Sequence, residues 1–574
     1  MIKKILALSK NLKIYILNLR NIIIKFLFSF IKKEKFNKIS IEIYIFICVV
    51  LFFGFKAVGL GQDADWDLLN YHFYDAYAFI KDKVDSNIAP AQLQTYYNPL
   101  MGIPLYYANQ FLPAKIIGFL IGAIQGINFI LIYKLSTYLI KIQNKYYGIL
   151  IYTLIGISGL LGAGNVSELG NIMGDNIVSI FVILSLVLTF SPYNIQINKL
   201  GSNEKKILIP KIIVSGFLIG IVVGLKLTAA IYVVGIFLSL IINLNLHKKI
   251  FKSGLIFIFF VLVGFFLVDG FWIFSMWKNF RNPFFPYFNQ IFHSTYTQIG
   301  TNTDNRFLPK SFIETIFYPF YWAFDYRLVA ENPFKDWRIP LVYLFSSILL
   351  IRFIFRNNLF VIRKNNLFSD EKKYFNALIC FYFVSYFQWI ILFGIYRYII
   401  TLELLSPLLI AAIIQVVTKN EKVFGSVLMI TLLLFSTTTK PIEWGRAPWG
   451  KHYFSVSPPN LPKNSLVLIT GFDAVGFMIP FFKKNITFDR IEGNLPEGTA
   501  YKNKIRQTIS KAKNIFVMYP YWDHLIEMKK QSDAVLLRYN LKEEEGNCQL
   551  FTPSVGKSKW SPIRLCSVEK KNLG

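Results

Sequence analysis

Long apolar runs, bounded by short polar and mostly basic segments, occupy the chain from about residue 40 to residue 439. Runs long enough to cross a hydrocarbon core of about 30 Å lie near 40–59, 114–140, 147–164, 172–191, 210–224, 227–245, 251–271, 340–356, 374–394, 397–417 and 422–439. The pattern predicts eleven transmembrane helices, with 210–245 read as two spans joined by a tight turn. An earlier apolar run, 13–31, is broken by Lys13, Arg20 and Lys25. It reads as an amphipathic surface helix, and no small-residue cleavage site follows to make it a signal peptide.

Three polar stretches interrupt or follow the apolar ones. Two are loops, about 60–113 and 272–339, and the third is a tail, 441–574. The tail alternates short apolar runs (Ser465 to Thr470, Asn514 to Met518) with helical stretches at 499–512 and 521–531. That alternation predicts a small α/β domain of ordinary size. The predicted organisation is a basic amphipathic segment (1–38), a transmembrane domain (39–440) and the α/β domain (441–574). No repeat of 20–50 residues is apparent.

Composition agrees with this reading and removes others. At 54% hydrophobic and 17% aromatic residues the chain is too apolar to be disordered. Its net charge of +29 raises the possibility of nucleic acid, but the charge is unevenly placed. With a cytoplasmic N-terminus, the tail and inner loops (141–146, 193–211, 246–252, 352–373, 418–422) hold 27 Lys+Arg and five acids. This satisfies the positive-inside rule at each crossing and suits contact with anionic lipid. The expectation is a multi-pass protein of the plasma (inner) membrane, with an extracytoplasmic C-terminal domain and no nucleic-acid partner. Cys48 and Cys380 read as buried thiols. Cys548 and Cys566, 18 residues apart, are either two isolated thiols or a disulfide, which would fit an oxidising compartment.

Candidate chemistry gathers in the predicted outer segments. The first loop opens with Asp63, Asp65 and Asp67 in alternation, then Asn70 and His72. In an extended segment the three carboxylates share one face. They would hold a divalent cation, or supply a general base through a raised pKa. The competing reading is an acidic turn capping the next helix. Further along the loop, Gln94 and Asn98 are candidates for substrate hydroxyls among tyrosines of an aromatic belt. Glu168, Asn171 and Asp175 share one face if helical, making Glu168 and Asp175 candidates for a second acid or metal ligand. Lys226 and Arg397 interrupt apolar runs, so each needs an anionic partner, either a lipid phosphate or a protein carboxylate. For Arg397, Glu403 is the nearest carboxylate in sequence. In the second loop Arg306, Arg327 and Arg338 each follow an aspartate by two residues, and either that aspartate or a substrate is the partner.

An acidic Asp-x-Asp-like motif in the first outer loop, a second large outer loop between the seventh and eighth spans, and a C-terminal extracytoplasmic domain together resemble the GT-C superfamily of integral-membrane glycosyltransferases. The resemblance covers about 40–440 and includes the protein O-mannosyltransferase-like and aminoarabinose-transferase-like branch. It implies a polytopic GT-C-like α-helical fold and a donor sugar on polyprenyl phosphate, moved to a lipid, glycan or protein acceptor at the outer face. Asp63, Asp65 or Asp67 would be the catalytic base. Lys226, Arg397 or a loop arginine such as Arg306 would hold the phosphate. A Mg or Mn ion on Asp65, Asp67 and Glu168 is the possible cofactor. Two other classes compete: a transporter or flippase of a lipid-linked sugar, and a non-catalytic receptor. Clustering of the polar residues at one surface, with no repeated halves, favours the enzyme over the transporter.

Overall fold

The computed structural model describes residues 38–190, 204–243, 250–301, 303–355, 369–418, 420–521 and 525–571. The amphipathic segment expected at 13–31 and the basic pair Lys248-Lys249 lie outside the described residues. The chain forms two compact units, Met1–Val49 and Val50–Gly574. Of the first, the structure describes only the opening turns of the helix Lys38–Leu60.

Each of the eleven apolar runs is a helix. Among the described residues, six helices are long and apolar enough to cross a membrane: Ile39–Leu60, Ala114–Leu139, Ile250–Phe280, Glu371–Leu392, Tyr396–Val417 and Glu421–Thr438. Shorter apolar helices, Asp175–Phe190, Ile209–Leu225, Leu227–Asn243 and Arg338–Ile351, complete the set with Lys145–Leu160. The helix Tyr396–Val417 runs through the middle and is almost wholly buried. By contrast Ile250–Phe280 exposes Phe259, Phe266 and Phe274, as a lipid-facing helix must. The break inside 210–245 falls at Lys226, whose backbone is extended (φ −149°, ψ 106°).

Two expectations need correction. The seventh span continues to Phe280 rather than ending near 271. At 1.5 Å per residue its 31 residues reach about 46 Å, well past the hydrocarbon core. The projecting turns pack Trp272, Met276 and Phe280 under the C-terminal sheet. Cys48 is exposed on its helix, whereas Cys380 is partly buried.

The C-terminal region forms a five-stranded mixed sheet in the order 487–490, 466–469, 515–520, 563–570, 541–551. The first three strands are parallel and the last two antiparallel. Leu466–Ile469 is apolar at every position because both faces are covered. Val467 and Ile469 pack on the first loop, with Leu69, Phe73 and Tyr77. Leu466 and Leu468 face the other way, into a core with Ile505, Val535 and the end of the long helix. Cys548 and Cys566 sit opposite each other on adjacent strands and are disulfide-bonded.

Candidate active site

The first loop leaves its helix at Gly61, with φ +99° and no room for a side chain: an added Cβ would lie 3.0 Å from the carbonyl oxygen of Ala447. Gln62–Asp63 then pairs antiparallel with Arg446–Ala447. The extended segment ends there, since the chain turns helical at Trp66. The three aspartates therefore do not share a face.

Asp63 and Asp65 turn inward. Asp65 is the helix cap, its Oδ1 accepting from the backbone N–H of Leu68 at 2.7 Å. Asp63 accepts from the backbone N–H of Asp65 at 3.1 Å. Burial, followed by the charges of Asp63 and Asp67, raises the Asp65 carboxyl well above the ordinary range. Burial raises Asp63 too, offset by the hydrogen bond from Asp65 and by Arg446. Asp65 Oδ2 is buried without a hydrogen-bond partner, an arrangement that disfavours the charged form. The helix-cap reading thus describes Asp65.

Asp67 faces a cavity of about 780 Å³, within the usual range for a ligand site. Its Oδ2 accepts from Arg397 Nη1 at 2.6 Å. Burial works to raise its pKa, but Arg397, with Lys226, holds it below the ordinary value, so this carboxylate is ionised at neutral pH. Arg397 stands over the rings of Tyr398 and Trp444, 5.4 and 6.0 Å from their centroids. Its partner is Asp67. Glu403 instead accepts from the backbone N–H groups of Gly164 and Asn165 and from the Tyr396 hydroxyl.

Lys226 also lines the cavity. Its Nζ donates to Asp175 Oδ2 at 2.6 Å and to the carbonyl of Met173 at 2.8 Å. Behind Asp175 lies Glu168, fully buried. Burial and the Asp175 charge raise its pKa well above the ordinary value. His72 lines the cavity as a neutral imidazole, since burial pushes its pKa down to about 3.

The remaining candidates divide. Gln94, Asn98 and Arg306 line the cavity; Asn70, Glu168 and Asp175 do not. Arg306, at the exposed edge, is clamped by Asp304 and Glu331, each at 2.7 Å. Arg327 pairs with Asp325 and Arg338 with Asp336. Asn98 donates to Asp269 Oδ1 at 2.7 Å and to the carbonyls of Val268 and Gly224. Asp269 is a cavity residue that the sequence reading missed. Its signal was present: an acid inside an apolar run, in Leu267-Val268-Asp269-Gly270. Trp444, Asn494 and the hydrogen-bonded pair Tyr97 and Tyr287 were missed as well, and no local motif marks them.

The proposed metal ligands do not fit a cation together. Asp65 turns away to cap a helix, Glu168 lies off the cavity, and Asp67 is engaged by Arg397. Among the described residues the carboxylates and thiols converge as a group of three at Glu543, Cys548 and Cys566 alone, where both thiols are in the disulfide. No step below is routed through a metal.

No protein-family profile and no curated protein sequence matches the chain. Among solved structures, the crystal structure of ArnT from Cupriavidus metallidurans bound to undecaprenyl phosphate aligns with 91% of this chain and 97% of its own, at 10% identity and a TM-score of 0.40.

Proposed function

We propose that this protein is a membrane glycosyltransferase that takes a sugar from a polyprenyl-phosphate donor and passes it to an acceptor hydroxyl at the outer face of the membrane. The observation that carries the proposal is one ionised carboxylate, Asp67, beside two cations, Arg397 and Lys226, in a single cavity. Donor counting supports an anionic ligand there. Arg397 has five N–H donors and gives a protein oxygen only Nη1; Lys226 has three and uses two. The remaining donors are available to a phosphate.

In the proposed step Asp67 accepts the proton of the acceptor hydroxyl as its oxygen attacks the anomeric carbon. The bond from that carbon to the phosphate oxygen breaks, and its electron pair leaves with polyprenyl phosphate. Lys226 and Arg397 stabilise the charge that develops on the leaving group. Asp175 and Tyr398 position Lys226, while Tyr398 and Trp444 position Arg397. On this reading the cavity, lined by residues at the loop ends of the apolar helices, receives a lipid-borne phosphate from the bilayer. The disulfide agrees with a C-terminal domain in an oxidising, extracytoplasmic compartment.

Comparison of envelope glycans in wild-type and deletion cells tests the class. Loss of one sugar residue, restored by the intact chain, is expected. Unchanged glycan structure with movement of lipid-linked sugar between leaflets by purified protein would instead identify a transporter.

A further inference from the structure

The first loop is tied to the C-terminal sheet by a run of hydrogen bonds that ends in the cavity. The loop residue Ile88 pairs with Asp489, and Arg490 Nε donates to the carbonyl of Pro90 at 2.9 Å. Where strand 487–490 ends, Asn494 receives the backbone N–H of Leu93 on its Oδ1 at 3.0 Å, and its own N–H goes to Gln92 Oε1 at 2.9 Å. Asn494 Nδ2 then donates to Gln94 Oε1 at 3.2 Å. From the other side, Asn70 Nδ2 donates to the same oxygen at 3.4 Å and to the carbonyl of Ala91 at 3.0 Å. Asn70 is itself packed against the C-terminal domain: a Cβ added at Gly476 would lie 1.9 Å from its carbonyl oxygen.

Gln94 thus has its acceptor oxygen held by two amides, which fixes which end of the side chain is which. Its Nε2 donors are the part left for a ligand. Gln94 and Asn494 both line the cavity, as do Asn98 and the paired tyrosines Tyr97 and Tyr287. Oriented amides beside aromatic rings suit a polyhydroxylated ring: the amides bond hydroxyls and the rings cover the apolar face of the sugar. The spacing ties this patch to the phosphate cations. Asn98, four residues from Gln94, holds the carbonyl of Gly224, two residues before Lys226.

We propose that Gln94, oriented by Asn494 and Asn70, forms the subsite for the donor's sugar ring, and that the C-terminal domain sets donor specificity by contributing Asn494. This rests on the cavity being the donor site. Gln94 is the binding residue; Asn494 and Asn70 are positioning residues. Asn494 follows the carboxyl end of the parallel strand 487–490, the usual side for a ligand on such a sheet.

The test uses the full chain in lipid nanodiscs. Affinities are measured for bare undecaprenyl phosphate and for undecaprenyl phosphate carrying glucose, mannose or galactose. The wild type should bind one sugar-bearing lipid at least tenfold better than the bare lipid. Gln94→Ala and Asn494→Asp should each cut that preference by about three- to tenfold, the range of one hydrogen bond, and leave bare-lipid affinity unchanged. Asn494→Asp keeps the acceptor for Leu93 and removes the donor to Gln94. The double variant should match Gln94→Ala alone, because the two act through one group. No sugar preference in the wild type, or a preference that survives both substitutions, would overturn the subsite. Asp67→Asn, run in parallel, should keep the wild-type sugar preference; transfer retained by that variant would remove the base and leave the subsite standing.

Discussion

Asp67 and Arg397 are 330 residues apart in sequence and meet at 2.6 Å on the wall of one cavity. One comes from the first turn after a short strand, the other from the start of the most buried helix. In the proposed mechanism this pair singles out Asp67, of the three aspartates, as the base.

Removing Arg397 leaves a largely buried carboxylate without its partner. Arg397→Ala should lower stability by about 2–3 kcal/mol, somewhat below the cost for a fully buried pair. It should also weaken undecaprenyl phosphate binding tenfold or more. Arg397→Lys should restore stability better than binding, since lysine supplies charge but neither the planar fork nor the stacking on Tyr398 and Trp444. Thermal unfolding and lipid-binding titrations on the two variants separate the effects.

Burial, with the charges of Asp63 and Asp67, raises the folded-state pKa of Asp65 above its ordinary value of 3.8. The native state binds more protons in that window, so this group's contribution to stability is full below 3.8 and is lost as pH rises toward the folded value. Asp65→Asn keeps the shape and removes the titration. The variant should be at least as stable as wild type at neutral pH and show a flatter pH dependence of the melting temperature. A variant that melts earlier at every pH would show the carboxyl to be needed in charged form.

His72 works in the opposite direction. With its pKa pushed down to about 3 from 6.5, the folded state binds fewer protons than the unfolded one between those values. Its contribution to stability is present above 6.5 and lost as pH falls. His72→Gln should therefore reduce acid sensitivity between pH 6.5 and 4. Activity should show no inflection near 6.5 that the substitution removes; such an inflection would mean that His72 titrates during turnover.

The bridge between Cys548 and Cys566 closes a loop of 18 residues, worth about 3 kcal/mol in the chain-entropy treatment. The double variant Cys548→Ser, Cys566→Ser should expose strand 541–551 to protease at lower temperature. It should retain transfer, because the bridge lies on the far side of the sheet order from strand 487–490.

Much of the fold was legible because a bilayer imposes length and hydropathy on each span. The eleven runs became helices, and the break at Lys226 was placed within a residue. The long helix was cut short at 271 because its later turns, ending Trp277-Lys278-Asn279, look like loop when the protein surface they pack against is unknown. The site was legible only in part. Alternating aspartates advertise a shared face in a strand, but the strand lasts two residues and the cap geometry of Asp65 rotates its neighbours apart. Asp67, Lys226 and Arg397 each stood out locally, as charges where hydropathy is high. That Asp67 pairs with Arg397, and that Asn494 reaches the cavity, depends on chain segments hundreds of residues apart and has no local signature.

In the proposed mechanism Asp67 is the base and Asp65 is not. Deletion cells carrying Asp67→Asn or Asp65→Asn, at equal membrane abundance, are compared for the sugar restored to the envelope glycan. Loss of a general base costs about 10²–10⁴-fold. The prediction is less than one-hundredth of wild-type incorporation for Asp67→Asn and near-wild-type incorporation for Asp65→Asn. Full incorporation with Asp67→Asn, or loss with Asp65→Asn alone, would contradict it.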